Sequence, residues 1–202
     1  HSYNQNGNYT VKLVSNGTEI CNNSDTLIKN NLISVSSSGL TQVSCIPRVN
    51  KPGSAGILNF RLADINNNSA LSVNEGGYVD FSCFSQTTLI AGQKVPVSVT
   101  TNAETNESVR IWIDLNNDGL FGESEEVYAS NAQKGPQTGF IIVPEPSIYN
   151  VPLRLRVISD FSKVAIQSAC FEIQSGQAED YAVIILQNTY APIADFKPVL
   201  SV

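Results

Sequence analysis

The sequence predicts an all-β fold, an antiparallel β-sandwich, and three observations predict it. Short runs of β-branched and aromatic residues alternating with period two recur through the 202 residues, separated by turns rich in Asn, Gly and Pro. No segment carries a convincing helical period. Charged residues make up only 15% of the chain, so its polarity comes from Asn, Ser, Thr, Gln and Gly, which suits neutral, hydrogen-bonding solvent faces and frequent turns. With 42% hydrophobic residues, a chain of this length has enough apolar side chain for an adequate core.

Taken in order, Tyr9 to Val14 and Thr26 to Val35 read as two strands around a polar loop, a unit too small to stand alone. Ser36-Ser37-Ser38-Gly39 follows as a small, polar, flexible linker. Irregular loop around Cys45-Ile46-Pro47 and Lys51-Pro52-Gly53-Ser54 leads to a strand from Ile57 to Leu62. Asp64-Ile65-Asn66-Asn67-Asn68-Ser69 reads as a solvated Asn-rich turn in preference to an ion site. Gly77-Tyr78-Val79-Asp80-Phe81-Ser82 begins the next strand, and Leu89 to Gln93 turns before Val95 to Thr100. Val109-Arg110-Ile111-Trp112-Ile113 alternates and is β-branched, so a strand enters the loop that follows it. Thr138 to Val143, Val151 to Ile158 and Tyr181 to Leu186 complete the set. Within Val151 to Ile158, Leu153, Leu155 and Val157 share one face, and Arg154 and Arg156 share the other, expected to meet solvent. Two packed sheets, jelly-roll or immunoglobulin-like, are the natural architecture.

Composition also bounds function. A formal charge of −6 leaves no basic stripe that could release counterions, which argues against a nucleic-acid partner. The one histidine is His1, at the very start, so neither a histidine-based triad nor a His-rich zinc site can be assembled. No apolar run reaches membrane-spanning length, and no signal peptide opens the sequence, which reads as part of something longer. Cys21, Cys45, Cys83 and Cys170 never form C-x-x-C, which disfavours zinc and redox chemistry. In an oxidising compartment they can form disulfides. Cys45 to Cys83 is the expected pair, because both border segments that should become neighbouring strands; buried free thiols are the competing reading.

The most informative stretch runs from Trp112 to Val127. Asp114, Asn116 and Asp118 occupy alternate positions of a D-x-N-x-D-G pattern, Gly119 supplies the sharp turn, and Glu125 follows at the distal ligand position. That is the order of oxygen donors a hard cation requires, so Ca²⁺ is the expected cofactor. Its ligands would be Asp114, Asn116, Asp118, the Leu120 carbonyl and Glu125 or Glu126. Because a strand enters, only the loop chemistry of an EF-hand is shared; a metal-free polar turn is the alternative. Trp112, Phe121 and Tyr128 are candidate glycan contacts beside the ion, with core packing preferred for Trp112. Glu123, Glu125, Glu126, Glu179 and Asp180 could supply a glycosidase pair, but no G-x-S-x-G, H-E-x-x-H or nucleophile–base pairing occurs and no enzyme is expected.

Three pieces in one order carry a family resemblance: Gly77-Tyr78-Val79-Asp80-Phe81, the strand and loop from Val109 to Val127, and Gly176-Gln177-Ala178-Glu179-Asp180-Tyr181 shortly after Cys170. Together they resemble the GEVED domain of secreted Bacteroidetes-type proteins, over roughly residues 40 to 188. Gln177 and Ala178 depart from the motif that names the family, whereas Glu179, Asp180 and Tyr181 agree with it. The loss of one carboxylate weakens an ion-binding role at position 177, and Glu179 and Asp180 remain candidates for holding or supporting a metal. His1-Ser2-Tyr3-Asn4-Gln5-Asn6-Gly7-Asn8-Tyr9-Thr10-Val11 resembles the end of a PKD domain, an immunoglobulin-like sandwich, and Ala191-Pro192-Ile193-Ala194-Asp195-Phe196 resembles the start of another.

These resemblances imply a division into PKD-like C-terminal strands at 1–36, a GEVED-like sandwich at 37–190, and a linker with the start of a following PKD-like domain at 191–202. They imply a non-catalytic module of a large adhesin or secreted multidomain protein, acting as stalk or interaction domain at the cell surface or outside the cell. Its partners would be neighbouring PKD-like domains of the same chain and a surface glycan or protein. A carbohydrate-binding accessory module of a secreted hydrolase or protease is the alternative. Asp25-Thr26-Leu27 resembles the O-glycosylation site of such bacteria, with Thr26 as acceptor or left unmodified.

Overall fold

The structure is a computed structural model, and it describes residues 7–16, 24–35, 39–53, 55–69, 76–161, 163 and 165–189. His1 to Asn6, Cys21 and residues 191–202, on which parts of the PKD-like and disulfide expectations rest, lie outside the described residues. The chain divides into two compact units, His1–Gly39 and Leu40–Val202. In the first, β1 (Gly7–Asn16) and β2 (Ser24–Val35) form an antiparallel hairpin, with a register shift between Tyr9 and Val11. Leu13, Val14, Leu27, Ile28 and Leu32 are exposed on it, because two strands offer no second layer against which to bury a face. Thr26 is also exposed, paired with Val14.

The second unit is a sandwich. One sheet has the order β10 (Pro136–Ile142), β7 (Lys94–Thr101), β3 (Ile57–Leu62), β4 (Ile65–Asn68). The larger sheet runs β5 (Tyr78–Asp80), β12 (Gly176–Leu186), β11 (Pro152–Asp160), β8 (Glu107–Ile113), β9 (Glu126–Gln133), with β6 (Gln86–Ile90) also paired to β12. Pairing is antiparallel except along β12, where β5 and β6 run parallel to it, one beside Ala178–Asp180 and the other beside Ala182–Leu186. A turn at Phe81–Ser85 separates these two short strands, so the long closing strand is flanked by both in succession.

Alternation places Phe60, Leu62, Val97, Val99 and Ile141 of the smaller sheet against Ile111, Ile113, Leu153, Leu155, Val157 and Val183 of the larger one, all buried. Phe60 and Tyr181 meet there with ring centroids 4.8 Å apart.

The far face of the larger sheet is covered too. Trp112, Ile158 and Ala178 pack with Ile166, Ala169 and Ile173, which come from the segment between β11 and β12. A second segment, preceding β3, is laid along the first: Ile173 N–H donates to the Arg48 carbonyl at 2.8 Å, and Asn50 N–H donates to the Ile173 carbonyl at 2.9 Å. That arrangement decides the disulfide. Cys45 pairs with Cys170, Cα to Cα 5.8 Å, and Cys83 is free and exposed in the turn after β5. The expected Cys45–Cys83 pair is therefore corrected: Cys45 lies on a loop that crosses the sheet's outer face, and not on a strand beside Cys83. The bridge closes a separation of 125 residues, for which chain entropy gives a stabilisation of about 5 kcal/mol.

Candidate functional site

The candidate loop begins where β8 ends. Asp114 N–H still donates to the Arg154 carbonyl across to β11, at 2.9 Å, so the first acidic residue is fixed by the sheet and is itself fully buried. Its carboxylate accepts from the backbone N–H groups of Asp118 (3.1 Å) and Gly119 (2.8 Å). Asn116 Oδ1 accepts from Asp118 N–H at 3.0 Å, and Asp118 Oδ1 accepts from Leu120 N–H at 2.8 Å. From the far end, Glu125 in a single 3₁₀ turn (Glu123–Glu125) accepts from Leu115 N–H at 2.8 Å and Gly122 N–H at 2.7 Å. The loop is wound around its own oxygen-bearing side chains. Asn117 and Gly119 take positive φ, +56° and +81°, as the tight turn demands.

A strap closes the loop from outside. Thr41 Oγ1 donates to the Asn117 carbonyl at 2.8 Å, and Ser44 N–H donates to the Gly119 carbonyl at 2.9 Å. A Cβ at position 119 would overlap the Gln42 carbonyl oxygen, so the strap itself requires glycine there.

Burial pushes the Asp114 carboxyl above its ordinary value; hydrogen bonds from Gly119 and Asp118 work downward, and the charges of Glu125 and Asp118 add to the rise. The donor set of carboxylate, amide and backbone oxygens fits a hard cation, and a carboxylate oxygen that accepts one amide retains a lone pair for a metal. As arranged, no three His, Cys, Asp or Glu side chains converge as a metal cluster among the described residues. Leu120 stands exposed on the loop. Glu126 opens β9, and its Oε1 lies 3.7 Å from Arg110 Nε, so Glu125 is the glutamate that reaches the loop.

The other expected site residues are dispersed. Trp112 is 2% exposed and belongs to the outer-face core. Tyr128 is half-buried at the edge of the main core, with Gly139 so close that a Cβ there would meet its ring at 2.6 Å. Glu179 and Asp180 are neighbours on β12 and therefore face opposite sides of the sheet. Glu179, fully buried, accepts from the Tyr181 hydroxyl at 2.6 Å, and Asn67 Nδ2 donates to that hydroxyl at 2.9 Å. Asp180 receives Arg156 through Nε–Oδ1 (2.7 Å) and Nη2–Oδ2 (2.8 Å), and Arg154 Nη1 at 3.1 Å.

Residues 108–184 match the family model of the GEVED domain. The GEVED match begins in β8, takes in the loop, and ends in β12 past Tyr181, so it contains both the wound loop and the Asp180 ion pairs. No curated protein matches the chain.

Within the GEVED match, the residue that sequence reasoning misplaced is Arg156. It is fully buried, not on a solvent face, and neither is Arg154, at 7% exposure. Besides Asp180, the Arg156 guanidinium donates to the carbonyls of Cys45 (3.2 Å) and Ala169 (3.0 Å), one from each disulfide-linked segment. It also lies 4.8 Å from the Phe121 ring centroid and 5.6 Å from that of Tyr78. Arg156 thus ties the closing strand, the candidate loop and both covering segments to one point. One signal in the sequence bears on this: Trp112 sits on the same face as the arginines, directly opposite Arg156 in register, and a tryptophan there means that the face is covered.

Proposed function

We propose that the chain is a non-catalytic, calcium-stabilised β-sandwich module of a larger secreted or cell-surface protein, serving as a stalk or interaction domain. The observation that carries this reading is how the carboxylates are used. Those of the loop grip its backbone amides, and those of the GEVED motif hold Tyr181 and the two arginines. Each therefore works for the architecture. The Cys45–Cys170 bridge supports an oxidising, extracytoplasmic location, since such bonds persist there. Asp114, Asn116, Asp118 and Glu125, with the Leu120 carbonyl, would hold the ion. Calcium would draw the carboxylates of Asp114, Asp118 and Glu125 toward one positive charge, and so fix the loop under its strap.

Thermal melting of the whole chain in calcium and in chelator, alongside calorimetric titration, tests the reading. Calcium at a hundredfold excess over Kd stabilises the fold by about 2.7 kcal/mol. Asp118→Asn keeps an oxygen for Leu120 N–H and removes the charge, so it weakens calcium binding while leaving the chelated melt nearly unchanged. Identical melts in calcium and chelator would overturn the calcium part of the proposal.

A further inference from the structure

The smaller sheet turns toward solvent a face that neither the candidate loop nor the Arg156 cluster uses. Its register aligns Thr138, Ser98, Arg61 and Asn66 in one row across β10, β7, β3 and β4. Phe140 and Pro96 oppose each other in the flanking row, with Phe140 57% exposed. No Asp or Glu occupies an outward position of these four strands, so in a chain of net charge −6 this face carries only cations, Arg61 and Lys94. The nearby Asp64 is engaged instead by the Thr87 hydroxyl, at 3.3 Å.

Arg61 is held by a neutral side chain. Its Nε donates to Asn59 Oδ1 at 3.1 Å, and Asn59 Nδ2 is itself locked by Asn66 Oδ1 (3.0 Å), the Asn67 carbonyl (3.0 Å) and Asn68 Oδ1 (2.9 Å). This ladder of neutral amides orients the guanidinium, and among the described residues Arg61 makes no ion pair. Its terminal nitrogens present the fork that a carboxylate accepts in bidentate fashion. Arg61, Ser98, Thr138, Pro96 and Phe140 line one open trough of about 470 Å³, within the range of small-ligand sites.

We infer that this face binds an acidic polysaccharide, a linear polyuronate. A uronate carboxylate would dock on the Arg61 fork, the sugar hydroxyls would bond to Ser98, Thr138 and Asn66, and a ring face would pack on Phe140. Lys94, whose Nζ sits over one face of the Phe140 ring at 4.3 Å from its centroid, adds a second cation at the aromatic ring. Two cations beside an aromatic side chain suit a polymer carrying a carboxylate on every residue better than a neutral chain. The site lies on the smaller sheet, whereas the loop at 114–125 leads off β8 of the larger one, so it stands or falls separately from the calcium reading.

The test is calorimetric titration of the full chain with oligogalacturonate, with a neutral cello-oligosaccharide of equal length, and with polyglutamate. Oligogalacturonate binds, and the other two bind at least about tenfold more weakly. Arg61→Ala and Phe140→Ala each weaken oligogalacturonate binding by about tenfold or more, with unchanged melting, since both side chains are exposed. Arg61→Lys does not restore it, because the fork is lost. Asp118→Asn leaves the affinity unchanged. No binding of oligogalacturonate, binding insensitive to Arg61→Ala, or equal binding of polyglutamate, which would mark an acidic protein surface as the occupant, overturns the proposal.

Discussion

Glu179 and Asp180 are consecutive on one strand, and the two sides of the larger sheet treat them differently. On the inner side Glu179 is enclosed between sheets by neutral partners, Tyr181, Gln177 and, through Tyr181, Asn67. Burial pushes its carboxyl up to about 7, against the downward pull of hydrogen bonds from Ser69 and Tyr181. On the outer side Asp180 lies between two arginines. There Asp80 takes Arg154 Nη1 at 2.8 Å; burial raises its carboxyl, but hydrogen bonds from Ser82 and Arg154 outweigh this and hold it below its usual value. A face closed by a second sheet admits a carboxylate only with neutral hydrogen bonds, and the charged form is disfavoured. A face closed by loops supplies guanidinium groups and backbone carbonyls, and charge is retained there.

The comparison breaks most severely at Arg156. Arg156→Ala strands Asp180 without its bidentate partner and should cost about 3 to 5 kcal/mol in urea unfolding. Arg156→Met combined with Asp180→Leu should cost less than the two single changes summed, because the uncompensated charge is then gone. A loss below about 1 kcal/mol for Arg156→Ala would show that the outer face does not depend on charge pairing. Next is the lid of that face. Cys45→Ser should cost about 2 to 5 kcal/mol in non-reducing urea melts, with the outer side loosened first. Hydrogen exchange would register this as faster exchange at Ile173 than at Leu155.

The inner face supplies the smallest effect and the sharpest one in pH. Glu179 has a folded pKa above its unfolded value, so the folded state binds the additional proton. Stability contributed by the protonated form is full below about pH 4.5 and declines as pH rises to about 7, by roughly 3 kcal/mol at most. Glu179→Gln keeps an oxygen for the Tyr181 hydroxyl and should flatten this decline. Asp80 acts with the opposite sign, its contribution fading as the medium becomes acidic. A wild-type profile no steeper than that of Glu179→Gln between pH 4.5 and 7 would mean that Glu179 stays ionised in the fold.

Much of the fold was legible because strand periodicity is local. The runs at Ile57–Leu62, Val95–Thr100, Val109–Ile113 and Tyr181–Leu186 fall within observed strands, and Val151–Ile158 does so from its second residue on. The loop at 114–125 was legible because its spacing is short. What escaped depends on register and on long connections. Arg156 and Asp180 are directly opposed across β11 and β12, but no local pattern states that two residues 24 positions apart will be partners. Nor does period two tell which face is bare: Arg154 and Arg156 alternate with Leu153 and Leu155 as solvent residues would, and only the loops laid over them make them interior. The cysteine pairing failed for the same reason, since Cys45 and Cys170 sit on those loops.

The strap over the loop has a mechanical consequence. Tension applied to this unit at Leu40 meets the Thr41 and Ser44 hydrogen bonds first, and then, at Cys45, a covalent bond that carries the load straight to Cys170. The chain between the two cysteines, which holds nearly all of the sandwich's strands, is short-circuited. Under a pull from that side the strap's bonds to the candidate loop yield first, and beyond the disulfide the load reaches the sheet through β12 and its pairing with β11, β5 and β6.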